Sequence, residues 1–183
     1  MSYVITGSPG VGKHSISDEI SKRSQIPILD INTVARDSGL FEKNGEANDV
    51  DVDKLAKIIE KKITKPFLIV GHLAPYVVGA NHIKKAIVFR KNPYHLIPIY
   101  KKRGYSDEKI KDNVGSEILG VILYDALESF GPEKTLQMDV TSKTIEEVSK
   151  KVIEVINGEI FTEEVDWLTS VSEKNDLQKF FAY

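Results

Sequence analysis

The sequence predicts an α/β fold in which a parallel sheet carries helices on both faces. Short apolar segments alternate along the chain with longer segments in which apolar residues recur every three or four positions, and strands that alternate with helices form parallel sheets. A glycine-rich loop, Gly7–Lys13, stands between the first strand and the first helix. Ligands of such folds bind beyond the carboxyl ends of the strands, so we expect the functional loops to follow Thr6, Asp30, Val70, Arg90 and Val140.

Each predicted strand is a short run rich in apolar and β-branched residues. Pro27 lacks a backbone donor, so it belongs at the start or edge of its strand. The five predicted strands are Tyr3–Thr6, Gln25–Asp30, Phe67–Val70, Ala86–Phe89 and Thr135–Val140.

The helices are predicted from apolar residues at helical spacing. Ser106 can cap a long helix whose buried stripe is Ile110, Val114, Ile118 and Val121. The polar and acidic segment Glu42–Asp53 is predicted to be a loop. The predicted helices cover about 13–23, 32–39, 54–63, 93–103, 106–121 and 144–156, the last after the capping-box pattern of Thr144 and Glu147.

The composition is that of an ordinary globular protein. The chain has 183 residues, enough for one domain or one domain with a small appendage, and its net charge of −2 predicts no strong general attraction to nucleic acid or anionic membranes. The absence of cysteine excludes disulfides, thiolate zinc sites and thiol catalysis. No signal peptide precedes the first strand and no apolar run reaches membrane-spanning length, so we expect a cytoplasmic protein without membrane contact.

The glycine loop predicts a phosphate site. Gly7 and Gly12 stand five positions apart and Lys13 follows directly. Glycines let the backbone N–H groups of the loop point at a phosphate, the following helix adds the partial positive charge of its N-terminus, and the lysine adds a full charge. The usual P-loop pattern ends in Ser or Thr after the lysine. Here His14 takes that position, as a solvated first residue of the helix or a functional one, and Ser15 follows.

Several further segments, together with the loop form Gly-x-Pro-Gly-x-Gly-Lys, resemble the small adenylate-kinase-like NTPase family of archaea and eukaryotic nuclei. The similarity covers most of residues 1–168, and the Arg-Gly-Tyr segment with its following Asn113 is the more specific part. The segments that carry the resemblance are Gly71–Leu73, Arg90–Pro93, Arg103–Ile110, Asp112–Val114 with Glu117, Asp139–Val148 and Val165–Trp167.

The resemblance implies a P-loop kinase-type sheet with a short monophosphate-binding insertion and a short lid. The kinase domain would span 1–158, with the insertion at about 30–53, the lid at about 102–112 and a helical C-terminal tail at 159–183. The implied activity is phosphoryl transfer from ATP to AMP with Mg²⁺, accompanied by ATP hydrolysis. The family is also linked to maturation of the small ribosomal subunit, which implies a ribosomal protein as partner.

The resemblance also implies roles for single residues. Ser15 would meet magnesium, and Lys13, Arg103 and His72 would act in catalysis, with Arg103 also on the ATP phosphates. The residues expected to hold the ATP phosphates are Gly10, Val11, Gly12, Lys13, His14 and Ser15. Those expected to hold the acceptor are Asp30, Arg36, His72 and Arg90.

Each of these interpretations has a plainer alternative. Arg36 and Arg103 can be solvated surface arginines, since Arg103 follows two lysines. His72 can be a hydrogen-bonded loop histidine. Trp167 and the Phe180–Phe181 pair are more often core or docking residues than platforms for a nucleobase.

One departure from the family pattern bears on function. The third strand of the family usually ends in an acid that orients magnesium and its waters, and here the position is Val70. This departure favours a ribosome-assembly factor in which the nucleotide mainly switches binding, whereas Arg36 and Arg103 favour a kinase. A kinase for another small metabolite is a third possibility. A GTPase is unfavourable because the chain lacks the Asn-Lys-x-Asp motif that reads guanine.

Overall fold

The computed structural model describes residues 1–44 and 47–181. Its strands are β1 Ser2–Gly7, β2 Ile28–Asp30, β3 Phe41–Asn44, β4 Ala47–Val50, β5 Leu68–Val70, β6 Ile83–Arg90 and β7 Thr135–Asp139. Its helices are α1 Lys13–Ser24, α2 Ile31–Asp37, α3 Val52–Lys62, α4 Ala74–Val77, α5 Pro93–Lys102, α6 Asp107–Leu119, α7 Val121–Phe130, α8 Ile145–Ile156, α9 Trp167–Glu173 and α10 Leu177–Phe181. Among the helices of the described ranges, none combines the length and the hydropathy needed to span a bilayer.

The predicted parallel sheet is confirmed. Five strands lie in the order β2-β5-β1-β6-β7, and all four pairings are parallel. Every residue of the central strand β1 is buried, as expected of a parallel strand covered on both faces. Ile5 packs on one face in a core shared with α1, α5, α6 and α8, and Val4 packs on the other with α2, α3, α4 and α7.

The segment Glu42–Asp53 was predicted to be a loop; residues 45–46 lie outside the described residues, and for the rest the prediction is wrong. Together with Phe41, which pairs with Val50, the described residues form the antiparallel β3–β4 hairpin, and Asp51 then caps α3. The hairpin escaped prediction because its sequence is polar and lacks the alternation of apolar and polar residues that marks a half-buried strand.

The single long helix predicted after Ser106 is two helices. Gly120 adopts a left-handed φ of 66°, ends α6 and begins α7. Val121 therefore leaves the buried stripe and is 38% exposed. A Cβ at position 120 would lie 3.3 Å from the Arg90 guanidinium, so this glycine also makes room for a buried charge.

The C-terminal tail packs back onto the body of the protein. Val171 of α9 and Phe180 of α10 are buried in the same core cluster as Val114 of α6. The ring of Phe180 meets the ring of Tyr94 edge to face, with centroids 5.7 Å apart. The division of the chain into a kinase domain of 1–158 and a tail stays a prediction.

Candidate functional site

The glycine loop connects the buried end of β1 to the start of α1. Gly7 has a φ of 138°, and a Cβ there would lie 2.4 Å from the carbonyl oxygen of Phe89 on β6. Only glycine therefore fits where the loop leaves the sheet. Gly12 precedes α1 with a left-handed φ of 94°, which turns the chain into the helix.

The N-terminus of α1 differs from that of most helices in this protein. In the described residues no side chain caps its first turn, so its N–H groups are available to a ligand. Six other helices begin with a side chain that accepts a hydrogen bond from their first turn, and these caps are Asp30, Asp51, Asn92, Ser106, Thr144 and Asp166.

Lys13 is held in place by the loop that precedes it. Its side chain is buried, and Nζ donates to the carbonyl oxygen of Ser8 at 3.0 Å. Burial and the nearby charge of Arg103 lower the pKa of Lys13 to about 8, although Glu117 and Asp30 partly offset both effects. A buried ammonium beside a second cation lacks sufficient negative charge around it, and a phosphate would supply that charge.

Lys13 lines a cavity of about 280 Å³ that brings together most of the residues predicted to hold ATP phosphates. The side chain of Val11, by contrast, is 1% exposed and packs in the core, so only its backbone could contact a phosphate. The cavity is lined by Pro9, Gly10, Gly12, Lys13, His14, Ser15, Asn32, His72, Arg103 and Tyr105.

Arg103 reaches this cavity from the turn after α5, within the segment predicted to be a lid. Tyr105 stacks on Tyr100 with ring centroids 5.5 Å apart, and the Tyr100 hydroxyl donates to the carbonyl oxygen of Pro9 at 2.7 Å. This turn is thus tied to the glycine loop, and the exposed Arg103 lines the cavity.

A larger cavity of about 660 Å³ adjoins the first. The two share Pro9, Asn32, His72 and Tyr105 in their walls. The larger cavity adds Arg36, which is exposed. One terminal nitrogen of Arg36 donates to the hydroxyl of Thr33 on α2 at 3.3 Å, and its Nε atom lies 3.8 Å from the Asp37 carboxylate. Its other walls are Ser8, Val50, Val52, Leu73, Tyr76, Lys109, Asn113, Ser116, Val121 and Ile122.

His72 lies in the walls of both cavities. Burial and the charges of Lys13 and His14 lower the pKa of His72 to about 4. The imidazole is therefore neutral at physiological pH, with one nitrogen that donates and one that accepts hydrogen bonds.

Asp30 lies behind His14, outside the walls of both cavities. One carboxylate oxygen is 2.7 Å from His14 Nε2, and the other accepts from the backbone N–H of Thr33 at 2.7 Å, which caps α2. Burial opposes ionisation of this carboxyl, but the bonds from His14 and Thr33 outweigh burial and lower its pKa to about 2. Asp30 thus stays charged close to Lys13.

The structure does not bring Arg90 into either cavity. Its side chain is 3% exposed, and its Nε atom donates to the Glu117 carboxylate of α6 at 2.8 Å. Its terminal nitrogens donate to the Glu117 carbonyl oxygen and to Gln137 at 2.8 and 3.0 Å. The position at the end of β6 is as predicted, but the side chain points towards α6, where all three of its nitrogens donate hydrogen bonds.

Val70 is fully buried in the core with Ile5 and Ile16, so the carboxyl end of β5 presents no carboxylate to the cavity. Sequence reasoning missed several polar side chains that line the cavities, namely Asn32, Tyr105, Asn113 and Ser116. Asn113 belonged to a motif that carried the resemblance, but its spacing alone does not indicate which cavity it faces.

Comparison with known proteins places this geometry in a family. A family model described as an AAA domain matches residues 4–120. A protein of Pyrococcus furiosus named "Putative adenylate kinase" is 34% identical over 95% of this chain and 94% of its own length. A protein of the same name from Saccharolobus islandicus is 31% identical over 97% of this chain and 100% of its own length.

Solved structures share the architecture at low sequence identity. Shikimate kinase from Bacteroides thetaiotaomicron superposes with a TM-score of 0.60 at 15% identity, covering 86% of this chain and 98% of that protein. The YorR protein of Bacillus subtilis, solved with phosphorylated GDP, gives a TM-score of 0.61 at 15% identity, covering 86% and 96%. The fold is therefore that of the P-loop kinases.

Proposed function

The chain belongs to the adenylate-kinase-like family of P-loop NTPases, and from that premise we propose that it moves the terminal phosphoryl group of ATP to a nucleoside monophosphate, chiefly AMP. The archaeal relatives are named as adenylate kinases, which supports AMP as the acceptor. Slow hydrolysis of ATP accompanies the transfer when water takes the acceptor's place. We propose the cytoplasm as its compartment, because ATP and AMP are supplied there.

A pair of joined cavities carries this proposal. The smaller one has the P-loop, Lys13 and Arg103 in its walls, and the larger one has Arg36. Because the two share His72 and Asn32, a phosphate in one can approach a phosphate in the other. Phosphoryl transfer requires that the attacking and leaving oxygens lie in line, and two sites that meet at one point favour that arrangement.

The positive charges suit a reaction whose developing charge lies on phosphate oxygens. Lys13 would hold the outer phosphates of ATP, and Arg103 would reach the transferring group from the lid. Arg36 would hold the acceptor phosphate through paired donors, for which a planar guanidinium is better suited than an ammonium. His72, neutral because of its low pKa, would orient the attacking oxygen through a hydrogen bond without adding charge.

The site also suits magnesium. Mg²⁺ prefers hard oxygen ligands and, beside nucleotides, uses one or two protein oxygens together with phosphates and waters. The hydroxyl of the exposed Ser15 in the smaller cavity would be a direct ligand, and the charged Asp30, behind His14 and outside the cavity walls, would add negative charge near the ion. When bound, Mg²⁺ neutralises charge on the outer phosphates.

Val70 favours a second candidate function. A site without the usual acid at the end of β5 is suited to binding nucleotide and less suited to rapid turnover. In this alternative the nucleotide switches binding to a ribosomal protein during assembly of the small ribosomal subunit, and the kinase reaction is weak.

Product analysis distinguishes the two. The protein is mixed with ATP, magnesium and each nucleoside monophosphate in turn, and the products are separated by chromatography. The kinase proposal expects two ADP molecules from each pair of ATP and AMP, and no such product from the Lys13→Ala variant. Release of orthophosphate alone, at a rate that no monophosphate changes, would overturn the kinase and favour the switch.

A further inference from the structure

A single buried carboxylate joins the P-loop to the C-terminal tail. Glu117 of α6 is 2% exposed. One of its oxygens accepts from the hydroxyl of Ser8 in the P-loop at 2.5 Å. The other accepts from the indole N–H of Trp167 in α9 at 3.2 Å, from Arg90 Nε at 2.8 Å and from the backbone N–H of Lys91 at 3.1 Å.

The buried charge is well compensated. Arg90 is itself 3% exposed, and its guanidinium also bonds the Glu117 carbonyl oxygen and Gln137. Removing one member of a buried ion pair is costly because it leaves the other charge without a partner. The carboxylate therefore has one defined position, and the groups bonded to it are positioned relative to one another.

The same network continues to the catalytic lysine. The hydroxyl of Ser8 bonds Glu117, and the carbonyl oxygen of Ser8 accepts from Lys13 Nζ at 3.0 Å. The negative charge of Glu117 also raises the pKa of Lys13 against the larger effect of burial. Glu117 lies outside the walls of both cavities, so it acts on the nucleotide site through other residues, among them Ser8 and Lys13.

Trp167 links the position of helix α9 to Glu117. It is the first residue of α9, and Asp166, directly before it, caps that helix by accepting from the N–H of Thr169 at 2.9 Å. Val171, one turn further along, is fully buried against the core. If α9 moved away from α6, the Glu117 carboxylate would lose the hydrogen bond that it accepts from the Trp167 indole N–H.

We propose that Glu117 is a positioning residue that couples the P-loop to the tail, so that ATP binding at Lys13 and docking of Trp167 stabilise each other. The inference rests on the proposed binding of ATP by the P-loop. Coupling between two sites is reciprocal. Anything that lifts α9 off α6 weakens ATP binding, and ATP tightens the docking of α9.

The chain contains its own reporter, because Trp167 is its single tryptophan. ATP and magnesium are titrated into the protein while Trp167 emission and calorimetric heat are followed. We expect the emission to change with the same midpoint as the heat. In Ser8→Ala, which removes the bond between the loop and Glu117, the titration is carried to saturation as judged from the heat, and we expect the emission change at saturating ATP to fall to a small fraction of the parent's.

Ser17→Ala is the matched control. It removes a buried hydroxyl from α1 that has no hydrogen-bond partner among the described residues. Its emission change should equal the parent's. An emission change in Ser8→Ala as large as in Ser17→Ala would overturn the coupling.

The reverse direction is tested with Trp167→Phe, which keeps an aromatic ring and removes the N–H donor. We expect calorimetry to give an ATP dissociation constant about fivefold higher or more, which is the lower end of typical couplings between sites. Leu168→Ala, which shortens an exposed side chain on the same helix, should leave it unchanged. Equal dissociation constants for Trp167→Phe and the parent would overturn the proposal.

The parent protein alone supplies a third measurement, which needs no variant to fold. Amide hydrogen exchange across 167–173 should slow when ATP binds, and unchanged exchange at saturating ATP would overturn the coupling. A parent that binds ATP without any response in the tail contradicts only this inference. A parent that shows the response but forms no ADP from AMP contradicts only the kinase. A parent that binds no ATP contradicts both.

Discussion

The Nε2 atom of His14 lies 2.7 Å from a carboxylate oxygen of Asp30. His14 stands where the usual P-loop has a magnesium-binding hydroxyl, and Asp30 ends the strand next to the one that ends in Val70. The pair joins the start of α1 to the end of β2. It also keeps a negative charge near Lys13, although the usual acid of β5 is missing.

Asp30→Asn tests whether this carboxylate replaces the missing acid. Asparagine can still cap α2 through its carbonyl oxygen, so the fold should be kept while the charge is lost. We expect turnover to fall by about tenfold or more and the magnesium requirement to rise, as is typical when a group behind a metal ligand is removed. Turnover is measured across a magnesium titration. Asp37→Asn, at the exposed end of α2, is the control, and equal curves for the two variants would contradict the prediction.

The pH dependence of nucleotide binding should follow Lys13. Its pKa in the free protein is about 8, and bound phosphates raise it, so above about pH 8 the complex holds more protons than the free protein and affinity falls as pH rises. Calorimetry with ATP in a metal chelator, from about pH 7 to about pH 9.5, measures this dependence. Lys13→Arg stays charged over that range, so its affinity should not change with pH. A parent as insensitive as Lys13→Arg would show that the lysine does not titrate.

Arg103→Ala should lower turnover at saturating substrate more than it weakens ATP binding. Arg103 lines the smaller cavity from the exposed turn after α5. Loss of one contact that forms mainly in the transition state costs on the order of 3 kcal/mol, or about a hundredfold in rate. Lys102→Ala removes the neighbouring charge outside the cavity walls and is the control. If Arg103→Ala instead weakened ATP binding and left turnover at saturating substrate unchanged, Arg103 would serve only to anchor ATP.

Arg36 and Arg90 should respond differently to removal. Arg36→Ala should raise the KM for the monophosphate and leave the melting temperature unchanged, because the side chain is exposed in the larger cavity.

Arg90→Ala should cost about 3–5 kcal/mol of unfolding free energy, because it leaves the Glu117 carboxylate buried without its cation. Initial rates against monophosphate concentration and denaturant unfolding measure the two effects. An Arg90→Ala variant that is as stable as the parent and has a raised KM for the monophosphate would indicate that Arg90 binds the substrate after all.

Val70→Asp should raise turnover per folded molecule and lower stability. A carboxylate at the end of β5 would lie near the expected phosphate site, but position 70 is in neither cavity wall and has no exposed surface. An unpaired charge there is desolvated, so the melting temperature without ligand should fall and recover with magnesium and ATP. Val70→Asn, of similar shape without the charge, should lose stability and gain no turnover. A folded Val70→Asp variant with unchanged turnover would indicate that another group, Asp30 first, already orients the metal.

The sequence by itself determined the parallel sheet and the place of the phosphate loop. Both are encoded locally: buried parallel strands are short apolar runs, and the cradle needs glycines and a lysine at a set spacing. Sequence periodicity also predicted α1, α3 and α8, but it missed the β3–β4 hairpin and ran α6 into α7. The hairpin is held by hydrogen bonds between polar strands, which show no apolar repeat in the sequence. The left-handed turn at Gly120 likewise does not interrupt the apolar repeat that runs from α6 towards α7.

Only the tertiary structure decided which charged side chains face the cavities. Arg90 ends β6 and Arg36 lies in α2, the helix that follows β2, yet Arg90 points at Glu117, 27 positions away, and Arg36 lines the larger cavity. The direction of a side chain depends on which partner from elsewhere in the chain satisfies its charge. For the same reason the sequence did not predict the role of Glu117, which accepts hydrogen bonds from Ser8, Arg90, Lys91 and Trp167. No local spacing relates these residues, and packing of the tail on α6 brings the last of them into place.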